Sequence, residues 1–257
     1  MTVYNSIGKK YSTTRVPDYR ISQKIIDLLN LPQGSKIADI GAGTGGYSVV
    51  LANQGFHVYA IEPSLVMQAQ AVEHPNVTWK TGYAEAIPLP DNSVDAVISI
   101  LTIHHFANLE KAFQEMYRIL KSGTILLFTF DIRLAQKIWL YDYFPCLWED
   151  ALRLLPINKL TDLFQTNTKS SVEIIPFLLP HNLSDLFAAA GWRRPELYLK
   201  PEVRAGISSF AVCDQSIIKS GIKSLAADLS NGTWNKKYQE ILTQKELDVG
   251  YRFLRAS

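Results

Sequence analysis

Short apolar runs alternate with amphipathic segments along the first half of the chain. Apolar residues on one face over residues 18–29 and 109–120 predict helices. Short stretches rich in apolar residues predict strands, and the strongly apolar stretch 123–130 is typical of a strand that is buried on both faces. The predicted strands are residues 36–40, 57–62, 77–80, 91–100 (after an opening turn) and 123–130. Strands that alternate with helices in this way predict an α/β fold with a doubly wound, mostly parallel sheet.

The alternation breaks at residue 131. Residues 131–180 form an insertion, predicted to be a helical lid, with a dense group of aromatic residues. These are Trp139, Tyr141, Tyr143, Phe144 and Trp148. A helix is predicted over residues 182–190, and two last strands over residues 196–200 and 207–212 complete a seven-stranded sheet. Residues 215–257 are predicted to be a helical extension that packs on the core.

The 257-residue length suits a single domain over residues 1–257. Hydrophobic residues make up 47% of the chain, which allows a large core, and the net charge of +2 gives no electrostatic case for a nucleic-acid partner. The pattern shows no signal peptide and no apolar span of membrane length, so a cytoplasmic location is expected. The two cysteines, Cys146 and Cys213, have no metal-ligand spacing and predict neither a metal site nor a disulfide framework.

A glycine loop follows the first predicted strand, in the sequence KIADIGAGTGGYS from residue 36 to residue 48. A strand, a tight glycine turn and a helix N-terminus are the local geometry of a nucleotide cofactor site. Gly41, Gly43 and Gly46 also satisfy the dinucleotide pattern G-x-G-x-x-G. Asp39, however, would repel a pyrophosphate, whereas it suits a ligand with an ammonium group, either directly or through water. S-adenosylmethionine has that group and no phosphate.

A second acidic residue, Glu62, ends the next predicted strand about twenty residues further on. In a parallel βαβ unit this position lies over the hydroxyls of a bound ribose. One carboxylate can accept hydrogen bonds from two neighbouring hydroxyls, so Glu62 is the candidate ribose ligand. A solvated acid at the end of a strand is the alternative.

With these motifs the chain resembles the class I S-adenosylmethionine-dependent methyltransferases of the small-molecule type. The resemblance implies a Rossmann-like seven-stranded fold in which a closing hairpin makes one edge strand antiparallel. It also implies S-adenosyl-L-methionine as cofactor and S-adenosyl-L-homocysteine as product. The segment GYAEAIPLP is similar to the family's adenine-side loop, but Tyr83 stands where the family often has Asp, so the backbone of Ala84 would serve instead. The implied cofactor-binding residues are Tyr11, Arg15, Asp39, Gly41, Ala42, Gly43, Glu62, Pro63, Met67, Ala84, Glu85 and Ile100. Among them, Arg15 would pair with the methionine carboxylate and Tyr11 would close the cavity. The alternatives are a solvated arginine and a surface tyrosine.

Two histidines follow the fourth predicted strand, at the edge where ligands bind in open α/β sheets. Either His104 or His105 is a candidate general base because histidine titrates near neutral pH, and the resemblance favours His105. The alternative is that one histidine orients a loop while the other packs in the core. Tyr143, Phe144 and Trp148 are candidates for the acceptor pocket, with core packing and a membrane-surface helix as alternatives.

The predicted function is therefore methyl transfer to a small-molecule acceptor by in-line displacement at the sulfonium methyl group. The alternatives are an NAD(P)-dependent oxidoreductase and a non-catalytic protein that binds S-adenosylmethionine. The expected partners are the small acceptor and at most a second copy of the chain, as a monomer or homodimer, with no nucleic acid and no membrane. The acceptor itself is not predicted.

Overall fold

The structure, a computed structural model, describes residues 8–136 and 138–257. A seven-stranded sheet has the order β3-β2-β1-β4-β5-β9-β6. Its strands are β1 Lys36–Ile40, β2 His57–Ile61, β3 Val77–Lys80, β4 Val94–Ile100, β5 Leu120–Phe130, β6 Val172–Pro176 and β9 Tyr251–Ala256. Strands β1 to β5 are parallel to one another, and β9 is antiparallel to both of its neighbours. Two short strands, β7 (Leu179–Pro180) and β8 (Glu246–Leu247), pair separately.

Eleven α-helices connect and cover these strands within the described ranges. They are α1 Tyr19–Leu29, α2 Gly46–Asn53, α3 Leu65–Gln68, α4 Leu109–Ile119, α5 Leu140–Tyr143, α6 Pro145–Leu152, α7 Ile157–Thr168, α8 Pro201–Ala205, α9 Ser208–Val212, α10 Gln215–Ser230 and α11 Thr233–Lys237. Side-chain caps begin several of them, as the Asp18 carboxylate does by accepting from the backbone N–H of Arg20. Five 3-10 helices are Gly8–Thr13, Ile103–His105, Ile132–Leu134, Pro195–Leu199 and Gln239–Thr243.

Successive residues of each central strand point into two different cores. Ile37 and Phe128 belong to the core beneath α1 and α2, whereas their neighbours Ala38 and Leu127 belong to the core beneath α4 and α7. Both faces of the sheet are therefore covered, which explains why its strands are nearly continuous apolar runs. The expected doubly wound, mostly parallel seven-stranded sheet is confirmed.

The last two strands differ from the prediction. Residues 196–200 lie in the 3-10 helix Pro195–Leu199, residues 207–212 lie mainly in α9, and residues 182–190 form turns rather than a helix. The seven strands are completed by β6 and β9 instead. Prolines at the first turns of Pro195–Leu199 and α8 favour helical starts.

Strand β9 contains two arginines, which interrupt its apolar residues, so the sequence pattern did not predict it as a strand. Arg252 pairs with Asp248 at 2.8 Å, and Arg255 pairs with Glu173 at 2.6 Å. The antiparallel strand thus lies inside the sheet, between β5 and β6, and not at its edge. The region predicted as a helical lid supplies the edge strand β6 as well as α5 to α7, and the tail predicted as helical ends in β8 and β9.

A disulfide joins Cys146 in α6 to Cys213, which directly follows α9, with their Cα atoms 5.7 Å apart. The expectation that these cysteines form no disulfide was wrong. They are 67 residues apart in sequence, so no local pattern indicates that they meet in the fold. Across residues 8–136 and 138–257, no helix combines the length and the apolar character that crossing a membrane requires.

Candidate functional site

The glycine loop lies where β1 and β4 are neighbours in the sheet, which is the point at which the strand order reverses. Ligands of open α/β sheets bind in this crevice, at the carboxyl ends of the strands. The backbone N–H groups of Gly41 and Ala42 donate to the Ile61 carbonyl at 2.8 and 3.1 Å, which holds the loop beside the end of β2. Gly41 has φ of +75°, and a Cβ there would overlap the Thr102 side chain. A glycine is therefore required at this position.

Glu62 is fixed by two backbone donors at the end of β2. Its Oε2 accepts from Gly43 N at 3.0 Å and its Oε1 accepts from Ser64 N at 2.8 Å. Burial raises the pKa of this carboxyl group, and the two N–H donors oppose the rise. The two backbone hydrogen bonds therefore fix the orientation of the Glu62 carboxylate. Each of its oxygens keeps a further lone pair that can accept from a ligand hydroxyl.

A cavity of about 310 Å³ opens beside Glu62, and we call it the cofactor cavity. The predicted residues that line it are Tyr11, Gly41, Gly43, Glu62, Pro63, Met67, Ala84, Glu85, Ile100 and His105. Six more lining residues were not predicted to bind the cofactor: Gly82, Tyr83, Leu101, Thr102, Phe106 and Ala107. Five of them lie in the two segments that the sequence analysis placed near the cofactor, GYAEAIPLP and LTIHHF. The sixth, Ala107, directly follows the second segment.

Asp39 and Ala42 are not among the residues that line the cofactor cavity. Asp39 is 2% exposed, and its Oδ2 accepts a hydrogen bond from Ser48 Oγ at 2.6 Å. Burial raises the pKa of Asp39 to about 6, with the Ser48 hydrogen bond opposing this and the charge of Glu62 adding to it. The carboxylate thus ties β1 to α2 behind the loop.

Glu85 connects the adenine-side segment to the histidine segment. Its Oε1 accepts from the backbone N–H groups of Ala107 and Asn108, at 2.7 and 3.0 Å. Asn108 in turn caps α4, since its side chain accepts from Lys111 N at 2.9 Å. Glu85 therefore positions the chain that follows His105.

Arg15 is held by protein groups rather than left open to a ligand. Its Nε donates to Asp185, one Nη donates to the Tyr11 hydroxyl, and the other lies 3.5 Å from Asp185 Oδ2. Tyr47 also donates to Asp185 Oδ2, at 3.1 Å. The side chains of Arg15 and Asp185 are 10% and 2% exposed, so the ion pair lies inside the protein.

A second cavity, of about 60 Å³, shares Leu101 with the cofactor cavity. Its other lining residues include Arg15, His104, Phe130, Asp150, Phe187 and Tyr251. Leu101 has φ of +55°, a region that non-glycine residues rarely adopt and that is often found at functional sites. The backbone at this junction is held by a hydrogen bond from Leu101 N to the Phe128 carbonyl at 2.8 Å.

The two histidines face different cavities, with His105 lining the cofactor cavity and His104 lining the second one. Their ring centroids are 4.0 Å apart. Burial lowers the pKa of His104 to about 3, with the charges of His105 and Arg15 adding to this effect. Burial lowers the pKa of His105 to about 4, which the charge of Asp150 opposes. Both imidazoles are therefore neutral at physiological pH.

The three aromatic residues predicted for the acceptor pocket are absent from the lining of both cavities. Tyr143 donates to Asp228 at 2.6 Å, and Phe144 is fully buried against Phe210. Trp148 contacts the ring of Tyr141 at 5.2 Å. Tyr143 also lines a separate cavity of about 450 Å³ beside α10. The contacts of the three rings agree with packing in the helical region, and their role at the acceptor stays a prediction.

Known proteins match the chain over the same region. A family model described as a methyltransferase domain matches residues 38–128. A crystal structure from Anabaena variabilis, provisionally described as a methyltransferase from an antibiotic biosynthesis pathway, is 68% identical, with a TM-score of 0.93 over 95% of this chain and 99% of that one. The chain belongs to the class I S-adenosylmethionine-dependent methyltransferases. S-adenosyl-L-methionine is therefore its cofactor and S-adenosyl-L-homocysteine the product.

Two further relatives are more distant. The ubiquinone/menaquinone biosynthesis C-methyltransferase UbiE of Rubrivivax gelatinosus is 36% identical over 92 residues, which are 35% of this chain and 37% of that protein. Phosphoethanolamine N-methyltransferase 2 of Haemonchus contortus, solved with S-adenosyl-L-methionine, has a TM-score of 0.59 at 17% identity, over 96% of this chain and 55% of that one. An identity this low shows the shared fold alone.

The residues around the cofactor cavity fit this methyltransferase cofactor. Gly41 and Gly43 line the cavity without side chains, both with positive φ, so a ligand can approach their backbone closely. The oriented carboxylate of Glu62 offers acceptors for two ribose hydroxyls. Met67, which is 2% exposed and lines the same cavity, offers an apolar contact.

Proposed function

We propose that this methyltransferase transfers the methyl group to a small-molecule acceptor whose reacting end enters the second cavity. The observation that carries the proposal is that Leu101 lines both cavities, so the two lie side by side. The second cavity is too small for a folded macromolecular surface, which favours a compact acceptor group. The UbiE relative, a C-methyltransferase of ubiquinone and menaquinone biosynthesis, also supports a small acceptor.

The cofactor-cavity residues have separate proposed roles. Glu62 accepts hydrogen bonds from the ribose, while Met67, Pro63, Ala84 and Ile100 enclose the adenine side. Glu85 holds the histidine segment through its two backbone bonds. Tyr11 closes the cavity, and we assign to Arg15 the task of holding Tyr11 there, because its guanidinium is already paired with Asp185.

The bound cofactor supplies a methyl group activated on a sulfonium, so that transfer forms a bond from the acceptor atom to the methyl carbon and leaves the broken bond's electron pair on sulfur. The protein then mainly has to align the acceptor, and alignment can supply roughly 7–11 kcal/mol of the barrier. His105, which lines the cofactor cavity, is the candidate to orient the acceptor or take its proton. An imidazole with a pKa of about 4 is a weak base, so we assign orientation as its main role.

Binding of the cofactor product is the first requirement of the proposal, and formation of a methylated small molecule is the second. Saturating S-adenosylhomocysteine at about a hundredfold its dissociation constant adds roughly 2.7 kcal/mol of stability, which raises the melting temperature by about 5–10 °C in a domain of this size. No rise with S-adenosylhomocysteine would contradict cofactor binding in this cavity. Tight binding of S-adenosylhomocysteine with no methylated product from any small acceptor would support a non-catalytic binder.

A further inference from the structure

The carboxylate of Asp150 lines the second cavity without a bonded partner. Of the described residues around this cavity, it is the one acid. Within residues 8–136 and 138–257, the Asp150 side chain makes no hydrogen bond and no ion pair. It acts on its surroundings through charge, since it opposes the lowering of the His105 pKa. Asp150 is partly exposed, so its carboxylate is available to a ligand group that carries a positive charge.

The cationic residue of the same cavity does not compensate this charge. Arg15 is paired with Asp185, which also accepts from the Tyr47 hydroxyl. The positive charge of Arg15 is thus balanced by Asp185, and the neighbouring imidazole of His104 is neutral. The walls of the second cavity therefore carry an excess negative charge at Asp150.

Aromatic rings form the other side of this cavity, and we call Phe130, Phe187, Tyr251 and His104 the aromatic wall. The centroid of Tyr251 lies 5.3 Å from that of Phe130 and 4.8 Å from that of Phe187. His104 meets Phe130 edge-on at 6.5 Å. Aromatic faces attract cations through their quadrupoles, most strongly where water is excluded. A carboxylate beside such rings favours a cation over a neutral or anionic group.

We propose that the second cavity is the acceptor subsite for a small primary or secondary amine, with its ammonium on Asp150 and its carbon groups against the aromatic wall. This proposal rests on the proposed function of the two cavities. The volume of about 60 Å³ holds roughly four to six water-sized groups, which suits a short aliphatic amine. The ammonium gives one proton to water before the nitrogen lone pair can form the new bond to carbon. The positive charge then returns to nitrogen, where Asp150 stabilises it.

Three probes of similar size test the charge preference on the wild-type protein saturated with S-adenosylhomocysteine. Isobutylamine, isobutanol and isobutyrate have the same branched carbon skeleton and carry positive, zero and negative charge. Ligand-observed NMR titration should give a dissociation constant for isobutylamine at least about tenfold lower than for isobutanol, as expected for a hydrogen bond to a charged group. Isobutyrate should bind most weakly. This comparison needs no variant.

The Asp150→Asn variant should reduce the preference for the amine to within about twofold, while S-adenosylhomocysteine affinity stays within a few-fold. Glu149→Gln is the matched control, because Glu149 is the exposed neighbouring acid and lines neither cavity. Equal binding of the amine and the alcohol, no binding of any probe, or a preference that survives in Asp150→Asn would overturn the amine subsite alone. Failure of the wild-type protein to bind S-adenosylhomocysteine would overturn the proposed function and this inference together.

Discussion

The guanidinium of Arg15 donates a hydrogen bond to the hydroxyl of Tyr11, although the two side chains line different cavities. Arg15 also bonds to Asp185, which precedes the Phe187 ring of the aromatic wall by two residues. One chain of contacts, from Tyr11 through Arg15 to Asp185, therefore connects the walls of the two cavities. The region before α1 thus contributes to both cavities, with Tyr11 at the cofactor cavity and Arg15 at the second one.

Breaking this ion pair should be costly. Asp185→Asn leaves the mostly buried Arg15 without its charge partner, and we expect a loss of about 3–5 kcal/mol in the free energy of unfolding, the usual cost of removing one member of a buried pair. Urea denaturation measures it. Glu173→Gln is the control, because its pair with Arg255 is 54% and 35% exposed and should cost about 1 kcal/mol or less. Equal effects of the two variants would contradict a buried role for Asp185.

Local motifs made the cofactor side of the site predictable. The glycine loop and Glu62 are close in sequence, and their spacing follows from one βαβ unit, so Gly41, Gly43 and Glu62 could be named before the structure. Asp39 was placed in the right strand, but its burial against Ser48 depends on how α2 packs. The distribution of apolar residues likewise predicted β1 to β5, although β3 and the first residues of β5 include polar residues.

The lining of the second cavity was not predictable in the same way. The aromatic wall unites Phe130 at the end of β5 with Phe187 in a turn and Tyr251 at the start of β9. These residues meet because β9 pairs with β5 in the sheet. The arginines of β9 prevented its prediction as a strand. The dense aromatic group around Tyr143 and Phe144 drew the prediction to residues that instead pack among helices.

Glu62 should control cofactor affinity with little effect on the fold. In Glu62→Gln, the amide N–H₂ group replaces one acceptor, so it faces either the N–H of Gly43 or that of Ser64. The lost charge-assisted hydrogen bonds should cost about 1.5–3 kcal/mol, a rise of roughly tenfold to a hundredfold in the S-adenosylhomocysteine dissociation constant by calorimetry. Glu73→Gln, at an exposed acid outside the cavity, should leave affinity unchanged. Unchanged affinity in folded Glu62→Gln would place the ribose elsewhere.

The disulfide should stabilise the helical region around the second cavity. It connects α6, which contains Asp150, to the end of α9, which contains Ser208 and Ser209 of the cavity lining. For a loop of 67 residues, the chain-entropy model gives about 4 kcal/mol. The double variant Cys146→Ala/Cys213→Ala should lose that amount in denaturant unfolding, while S-adenosylhomocysteine affinity changes little. Wild-type protein kept in reductant is the matched control and should behave in the same way. Equal stability of oxidised and reduced wild type would contradict the prediction.

His104 and Asp39 should impose opposite pH dependences on stability. The unfolded chain binds a proton at His104 below about pH 6.5, whereas the folded protein does so only near pH 3, so His104 makes stability fall as the pH drops through this window. Asp39 binds a proton below about pH 6 when folded and only below 3.8 when unfolded. Asp39 therefore makes stability rise as the pH drops from 6 towards 3.8. The two effects partly cancel in the wild-type protein.

Single variants separate the two effects and decide what His104 can do in catalysis. Between pH 7 and pH 5, His104→Gln should lose about 1–2 kcal/mol less stability than wild type, whereas Asp39→Asn should lose more than wild type. Urea denaturation at pH 5, 6 and 7 measures both slopes, independently of any overall destabilisation. The groups that act on His104 are His105 and Arg15, whose charges favour the neutral imidazole. If His104→Gln and wild type have the same slope, His104 titrates near its ordinary pKa. The imidazole would then be available as a general base at neutral pH, and alignment would not be the sole source of catalysis.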